Sequence, residues 1–149
     1  HIIAGRYLGS SDPQVLGEHA MENVDPQFAK KVKMGDIIVA ATNFGCGSSR
    51  EQAPIALRAA GISCVVASTF ARIFYRNSIN IGFPVIACPG LHEKVKEGDT
   101  IAVDLEAGHV VLPGGEKIPS QPLPPNILEI LRAGGLVPKL KAELEAMRV

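Results

Sequence analysis

The sequence has no tryptophan, few other aromatic residues and no excess of either charge. Its 149 residues include five Phe and two Tyr, and 15 Lys and Arg balance 15 Asp and Glu. The shortage of aromatic residues argues against a base-stacking surface, and the charge balance argues against attraction to nucleic acid or an anionic membrane. Every apolar run is shorter than the roughly 20 residues that a membrane-spanning helix needs. We therefore expect neither nucleic acid nor a membrane as a partner.

Cysteine and histidine are too few and too scattered to form a metal or disulfide pattern. Cys46, Cys64 and Cys88 are odd in number and contain no CxxC pair. The histidines, which form no HxxxH pattern, are His1, His19, His92 and His109. With no targeting segment visible, we expect reduced thiols in a cytoplasmic protein. We also expect no metal or cofactor bound by this chain.

The hydrophobic pattern predicts three buried strands separated by helices. Short runs rich in β-branched residues occupy residues 36–41, 62–67 and 83–88. Between them, one helical segment ends at Gly61, and a second begins after Ser68 and Thr69, whose hydroxyls we expect to cap it. Strands alternating with helices predict a parallel sheet with helices packed against it.

The remainder of the chain predicts a further sheet segment and peripheral helices. Residues 100–118 alternate in polarity and turn at glycines, which is typical of an antiparallel hairpin or meander. Asp12 and Pro13 are typical of a helix start, and a helical tail follows the proline-rich residues 120–125. We expect one domain over residues 1–149, of the α/β class, with a mixed sheet flanked by helices.

The segment NFGCGSSRE, at residues 43–51, follows the first predicted strand and precedes a helix. Ligands of open α/β sheets gather at the carboxyl ends of strands, so this loop is a candidate site. Gly45 and Gly47 allow a tight turn that presents backbone N–H groups. Ser48 and Glu51 have capping-box spacing, so a capped helix is the structural alternative. A helix starting at Ser48 would, however, place Pro54 in its interior and lose a hydrogen bond.

The residue types of the loop leave three chemical hypotheses open. In the first, Cys46 is a nucleophile, which requires a lowered thiol pKa and a histidine base. In the second, the glycines cradle a phosphate, although the Lys-Ser/Thr ending of a P-loop is missing. In the third, Ser48, Ser49 and Arg50 bind a carboxylate and move a proton, since arginine offers a bidentate fork.

NFGCGSSRE together with STFARIFYRNSINIGFP, at residues 68–84, resembles the small subunits of 3-isopropylmalate dehydratases. That family is similar to the swivelling C-terminal domain of aconitase, and the resemblance extends from His1 to about Val137. It implies a swivelling β/β/α domain in an enzyme that isomerises a hydroxy acid by dehydration and rehydration. A [4Fe–4S] cluster on a separate large subunit would act as the Lewis acid.

The resemblance also implies a role for each residue of the motif. Ser48 corresponds to the serine base, and Ser49 and Arg50 correspond to contacts with the substrate carboxylate. Gly45 and Gly47 would support the turn and its N–H groups. Cys46 would not be a ligand. In the second motif, we favour a helix-surface or capping role for Arg72, Arg76 and Asn77 over a role at an interface or in the active site.

Residues near the start of the chain match the family's specificity loop, which consists here of Tyr7, Leu8, Gly9 and Ser10. Aconitase-like relatives carry an arginine in this region that meets an additional substrate carboxylate. Gly9 and Ser10 therefore favour an apolar branch such as isopropyl, although Arg6 precedes the loop. The Asp-Thr-Asp-like stretch that family members carry before the position of His1 is missing from this sequence.

Several functions remain open for the sequence. The leading hypothesis is the small subunit of an isopropylmalate isomerase in leucine biosynthesis, acting on a hydroxy-dicarboxylate in a heterodimer or heterotetramer with a large subunit. Related alternatives act on homoaconitate, citraconate or 2-methylmalate, or dimethylmalate. A non-catalytic carboxylate-binding domain and a thiol enzyme belong to other classes. For the isolated chain we consider a homo-oligomer, because exposed apolar surface favours association.

Overall fold

The computed structural model describes residues 2–3, 12–21, 25–45 and 52–135. Three parallel strands, β1 (Asp36–Ala40), β2 (Ile62–Ala67) and β3 (Val85–Ala87), form one sheet in the order β1-β2-β3. The apolar, β-branched runs thus form strands at the predicted places. The third strand is shorter than predicted, because Pro84 has no N–H to donate to a neighbouring strand.

The strand β1 differs from the prediction of a buried strand. Its residues are half-buried, apart from the exposed Asp36. Among the described residues, β1 pairs on one side with β2, while β2 lies between two neighbours and is buried along most of its length. An edge position therefore accounts for the greater exposure of β1.

The described helices precede, connect and follow the strands. The helix α1 (Pro13–Glu18) begins after Asp12, whose carboxylate accepts a hydrogen bond from the Gln14 N–H, as predicted. The others are α2 (Phe28–Lys31), α3 (Gln52–Ala60), α4 (Arg72–Asn80) and α5 (Pro125–Ala133). The helix α3 ends at Gly61, which has a φ of +113°, so the predicted glycine terminus is confirmed.

The predicted antiparallel meander consists of β4 (Ala102–Asp104), β5 (His109–Val111) and β6 (Lys117–Pro119). These strands form a second three-stranded sheet and do not extend the parallel one in the described ranges. The parallel and antiparallel parts were predicted correctly, and within the described ranges they form two sheets and not one mixed sheet.

Two hydrophobic clusters arrange these elements in layers. On one side of the parallel sheet, Val65 packs in a cluster with Leu57 of α3 and Phe74 of α4. On the other side, Val66 packs in a cluster with Val110 of β5. Because Val65 and Val66 are adjacent in β2, their side chains point to opposite faces. The result is a β/β/α arrangement with the parallel sheet between the antiparallel sheet and the helices.

Candidate active site

The segment that follows β1 is fixed against the segment that follows β2. The Ser68 N–H donates to the Ala41 carbonyl over 2.8 Å, and the Phe44 N–H donates to the Thr69 carbonyl over 3.1 Å. The Ala71 N–H in turn donates to the Phe44 carbonyl over 2.9 Å. Backbone pairing therefore continues beyond the sheet and carries the chain to Gly45 in a defined position at the carboxyl edge.

The side-chain hydroxyls of Ser68 and Thr69 also bind backbone groups at this edge. They were predicted to cap α4, and they do not. Thr69 Oγ1 accepts from the Asn43 N–H over 2.7 Å, and Ser68 Oγ accepts from the Gly90 N–H over 3.2 Å. The N-cap of α4 is Ala71, which makes no side-chain capping hydrogen bond. The capping prediction was wrong because both hydroxyls bind backbone groups of other strand ends, which local sequence does not reveal.

Gly45 is the first candidate site residue that the structure describes. Its φ is +90°, and a Cβ atom at this position would lie 2.3 Å from Phe74 Cγ. Phe74 is fully buried, and its ring packs edge-on against Phe44, with ring centroids 5.3 Å apart. Both the backbone conformation and the close approach to Phe74 require glycine. These constraints give Gly45 a structural role at the start of the candidate loop.

The remaining loop residues, 46–51, lie outside the described residues. They include the candidate base Ser48, the candidate substrate contacts Ser49 and Arg50, the supporting Gly47 and the alternative nucleophile Cys46. The described chain reaches Gly45 on one side of the loop and resumes at Gln52 on the other. The loop thus leaves and rejoins the described chain between the end of β1 and the start of α3.

The start of α3 bears on the position of Pro54. The described part of α3 runs from Gln52 to Ala60 and contains Pro54. The residues before Gln52 lie outside the described ranges, so the loss of a hydrogen bond at Pro54 in a helix starting at Ser48 stays a prediction. The capping pair Ser48 and Glu51 lies outside the described residues.

The specificity loop of Tyr7, Leu8, Gly9 and Ser10 also lies outside the described residues, as does Arg6. Of the second motif, Arg72 and Arg76 are exposed on α4, a position that suits both a helix-surface role and a role at an interface. Asn77 is half-buried, and its carbonyl accepts a hydrogen bond from the Ile81 N–H at the end of α4.

Sequence reasoning missed the residues that support the candidate loop. Phe74 packs against Gly45. The Ser68 hydroxyl accepts a hydrogen bond from the Gly90 N–H, and the Thr69 hydroxyl accepts one from the Asn43 N–H. The two members of each pair are 22 to 29 positions apart in the chain. No periodicity or short motif in the sequence identifies such pairs.

Comparison with known proteins identifies the family. The family model of the aconitase C-terminal domain matches residues 5–89. The 3-isopropylmalate dehydratase small subunit 1 of Methanopyrus kandleri is 55% identical over 143 residues, which cover 95% of this chain and 84% of that protein. The chain belongs to the aconitase C-terminal domain family, among the 3-isopropylmalate dehydratase small subunits.

Other members of this family agree with the observed fold. The isopropylmalate/citramalate isomerase small subunit of Methanocaldococcus jannaschii is 55% identical over 144 residues, covering 96% of this chain and 86% of that protein. A crystal structure of 3-isopropylmalate dehydratase from Methanocaldococcus jannaschii has a TM-score of 0.91 at 46% identity. That match covers 98% of this chain and 87% of the solved chain. The predicted swivelling-domain fold is confirmed.

The two cysteines that the structure describes, Cys64 and Cys88, are buried free thiols. Burial raises the pKa of Cys64 to about 12. Burial also raises the pKa of Cys88, partly offset by the charge of Lys94, and its Sγ lies 3.5 Å from the Pro119 carbonyl oxygen. Both thiols therefore remain protonated near neutral pH. Among the described residues, no three His, Cys, Asp or Glu side chains are grouped to hold a metal ion.

The helices of this family member that the structure describes are too short or too polar to cross a lipid bilayer.

Proposed function

We propose that this chain is the small subunit of a 3-isopropylmalate dehydratase. This hydro-lyase interconverts 2-isopropylmalate and 3-isopropylmalate in leucine biosynthesis by removing and re-adding water. The observation that carries the proposal is sequence identity: relatives of that name are 49–55% identical to this chain over nearly its whole length. The homoaconitate, dimethylmalate and non-catalytic alternatives are not favoured by these relatives.

In this proposal, Ser48 removes the carbon-bound proton next to a substrate carboxylate. The hydroxyl group leaves the neighbouring carbon, so the proton and the hydroxyl together account for one water molecule. When water is added back with the proton and the hydroxyl on the opposite carbons, the product is the isomer. A serine alkoxide needs stabilisation by N–H groups and positive charge. The loop's position at the carboxyl edge of a parallel sheet and the tight turn at Gly45 support this role.

Ser49 and Arg50 hold the substrate carboxylate in the same proposal. The planar guanidinium of Arg50 provides two parallel N–H donors for one carboxylate, and the Ser49 hydroxyl provides a further donor. Gly47, like Gly45, supports the turn. Tyr7, Leu8, Gly9 and Ser10 form the specificity loop and accept the apolar isopropyl branch.

The [4Fe–4S] cluster belongs to the large subunit in this proposal. The names of the relatives, which are small subunits, imply a large partner subunit. In the proposal, the complex is a heterodimer or heterotetramer in the cytoplasm. Residues 1–149 form one swivelling domain of it. The isolated chain folds but is inactive, and it self-associates through surface that the partner covers.

Reconstitution tests the proposed function. The chain is mixed anaerobically with the isopropylmalate dehydratase large subunit of the same organism, and the absorbance of conjugated unsaturated acids is followed. We expect turnover of isopropylmalate that requires both subunits, with smaller rates for citramalate, homoaconitate and dimethylmalate. A complex that forms with its cluster intact but turns over homoaconitate in preference to isopropylmalate would contradict the proposed substrate.

Replacing Arg50 by Lys retains the positive charge and removes the planar fork. We expect the KM for isopropylmalate to rise by roughly 10- to 100-fold, because losing one charge-assisted hydrogen bond weakens substrate binding by about that factor. Steady-state kinetics of the assembled complex measure the change. Arg132→Lys, on the exposed side of α5, is the matched control. Unchanged KM and kcat in Arg50→Lys would show that Arg50 does not hold the carboxylate.

Replacing Cys46 by Ala separates the hydro-lyase from the thiol-enzyme hypothesis. We expect the assembled complex to keep its turnover, because the proposed chemistry uses the Ser48 hydroxyl and no thiol from this chain. The same anaerobic assay measures it, with Cys64→Ala as a control at a buried, protonated thiol. Complete loss of activity in Cys46→Ala alone would favour a thiol nucleophile.

Replacing Gly9 by Arg tests the specificity loop. An arginine there would provide a cation for an additional carboxylate, so we expect kcat/KM for the tricarboxylate homoaconitate to rise and that for isopropylmalate to fall. The ratio of the two values in one enzyme preparation is the measurement. No gain on the tricarboxylate would count against this assignment of residues 7–10.

A further inference from the structure

The outer face of α4 combines two exposed arginines with an exposed apolar residue. Arg72, Ile73 and Arg76 are all exposed, and 48% of the Ile73 surface is accessible to solvent. Arg72 and Arg76 are four residues apart and therefore lie on the same side of the helix. In the part of the chain that the structure describes, neither arginine forms a salt bridge with an acidic side chain.

The amino-terminal end of α4 adjoins the point where the candidate loop begins. Ala71, the N-cap of α4, donates its N–H to the Phe44 carbonyl over 2.9 Å, and Phe44 directly precedes Gly45. The first turn of α4, with Arg72 and Ile73, therefore lies beside the point where the candidate loop begins. Phe74, next in the helix, packs its buried side chain against Gly45 on the inner side of α4, opposite the exposed arginines.

The charge of the face indicates the chemistry of its partner. Formal net charge is zero over the whole chain, so two arginines on one helix face with no acidic partner among the described residues are a local feature. Like charges one helical turn apart repel each other, and an acidic partner removes that repulsion. Arginine is enriched in protein interfaces, where it flanks apolar contacts such as the one that Ile73 offers.

We propose that the Arg72–Ile73–Arg76 face of α4 is a docking surface for acidic side chains of the large subunit, beside an apolar contact at Ile73. This inference rests on the proposed function, because it assumes that a large subunit covers the candidate loop. It assigns the two arginines to subunit recognition and not to the substrate. Complementary charge at such a surface accelerates association and orients the partner.

Charge reversal tests the inference. The dissociation constant between the full-length chain and the cluster-loaded large subunit of the same organism is measured for wild type and Arg72→Glu/Arg76→Glu. We expect the double variant to bind at least tenfold more weakly, mainly through slower association. Arg72→Lys/Arg76→Lys retains the charge and restores most of the affinity. Raising the salt concentration weakens the wild-type complex more than the reversed variant.

A matched control makes the same change in net charge elsewhere. Lys30 lies on α2 and Lys33 lies just before β1. Both are exposed, and both are near the amino edge of the parallel sheet. Lys30→Glu/Lys33→Glu is expected to bind like wild type. Circular dichroism of each variant confirms that the fold is retained, and Ile73→Ser tests the apolar contact without changing any charge.

Two outcomes would overturn the inference. The first is equal affinity of wild type and Arg72→Glu/Arg76→Glu, and the second is an equal loss in the lysine control. If the first is accompanied by a raised KM for isopropylmalate, the arginines belong to substrate binding. The proposed function fails by a different result, namely an assembled complex without turnover of isopropylmalate.

Discussion

Replacing Ser48 by Ala is expected to lower the kcat of the assembled complex by about 100- to 10,000-fold. The reason is that alanine cannot accept the carbon-bound proton, whereas substrate binding through Ser49 and Arg50 is retained. The KM for isopropylmalate should therefore change much less than kcat. Steady-state kinetics under anaerobic conditions, with the cluster content of each preparation measured, provide both values.

A second serine provides the control for this experiment. Ser63 is exposed on β2, and its hydroxyl donates to the Gly35 carbonyl over 2.9 Å near the amino edge of the sheet. Ser63→Ala makes the same chemical change far from the candidate loop and should leave kcat unchanged. Near-normal turnover of Ser48→Ala with an intact cluster would remove Ser48 from the role of base.

Replacing Gly45 by Ala is expected to lower the free energy of unfolding by about 2–5 kcal/mol. A positive φ of +90° disfavours a residue with a Cβ, at about 1–2 kcal/mol. The added Cβ would also lie 2.3 Å from Phe74 Cγ and 2.4 Å from Phe74 Cβ, and overpacking of this kind costs about 1–3 kcal/mol. Urea unfolding of the isolated chain, followed by circular dichroism, measures the loss.

Gly98 separates the two contributions. It has a φ of +94°, but a Cβ there would meet no atom within 4 Å. Gly98→Ala therefore carries the cost of backbone conformation without the clash, and its loss of stability should be the smaller of the two. Equal losses in both variants would show that the close approach of Phe74 does not constrain Gly45.

The sequence predicted the fold where local pattern decides it. The β-branched runs that became β2 and β3, the glycine terminus of α3 and the Asp12 cap of α1 all depend on neighbouring residues in the chain. The exposure of β1 was not predicted, because the run 36–41 contains no information about its place in the strand order. The separation into two sheets likewise depends on long-range packing.

The candidate site was predicted from a motif, but the residues that hold its loop in place were not predicted. The roles of Ser48, Ser49 and Arg50 came from the resemblance of NFGCGSSRE to a known family. Ser68 and Thr69 have the residue types of helix caps, yet their hydroxyls accept N–H groups from Gly90 and Asn43. Such pairings depend on which strands are neighbours, so only the folded structure reveals them.

Solvent deuterium incorporation tests most directly whether this chain supplies the base to a shared active site. 3-Isopropylmalate is incubated in deuterium oxide with each subunit alone, with the assembled complex and with the Ser48→Ala complex, and carbon-bound deuterium is measured by mass spectrometry. We predict incorporation by the wild-type complex, and none above background by either subunit alone or by the Ser48→Ala complex. Incorporation by the large subunit alone, at the rate of the complex, would contradict the account.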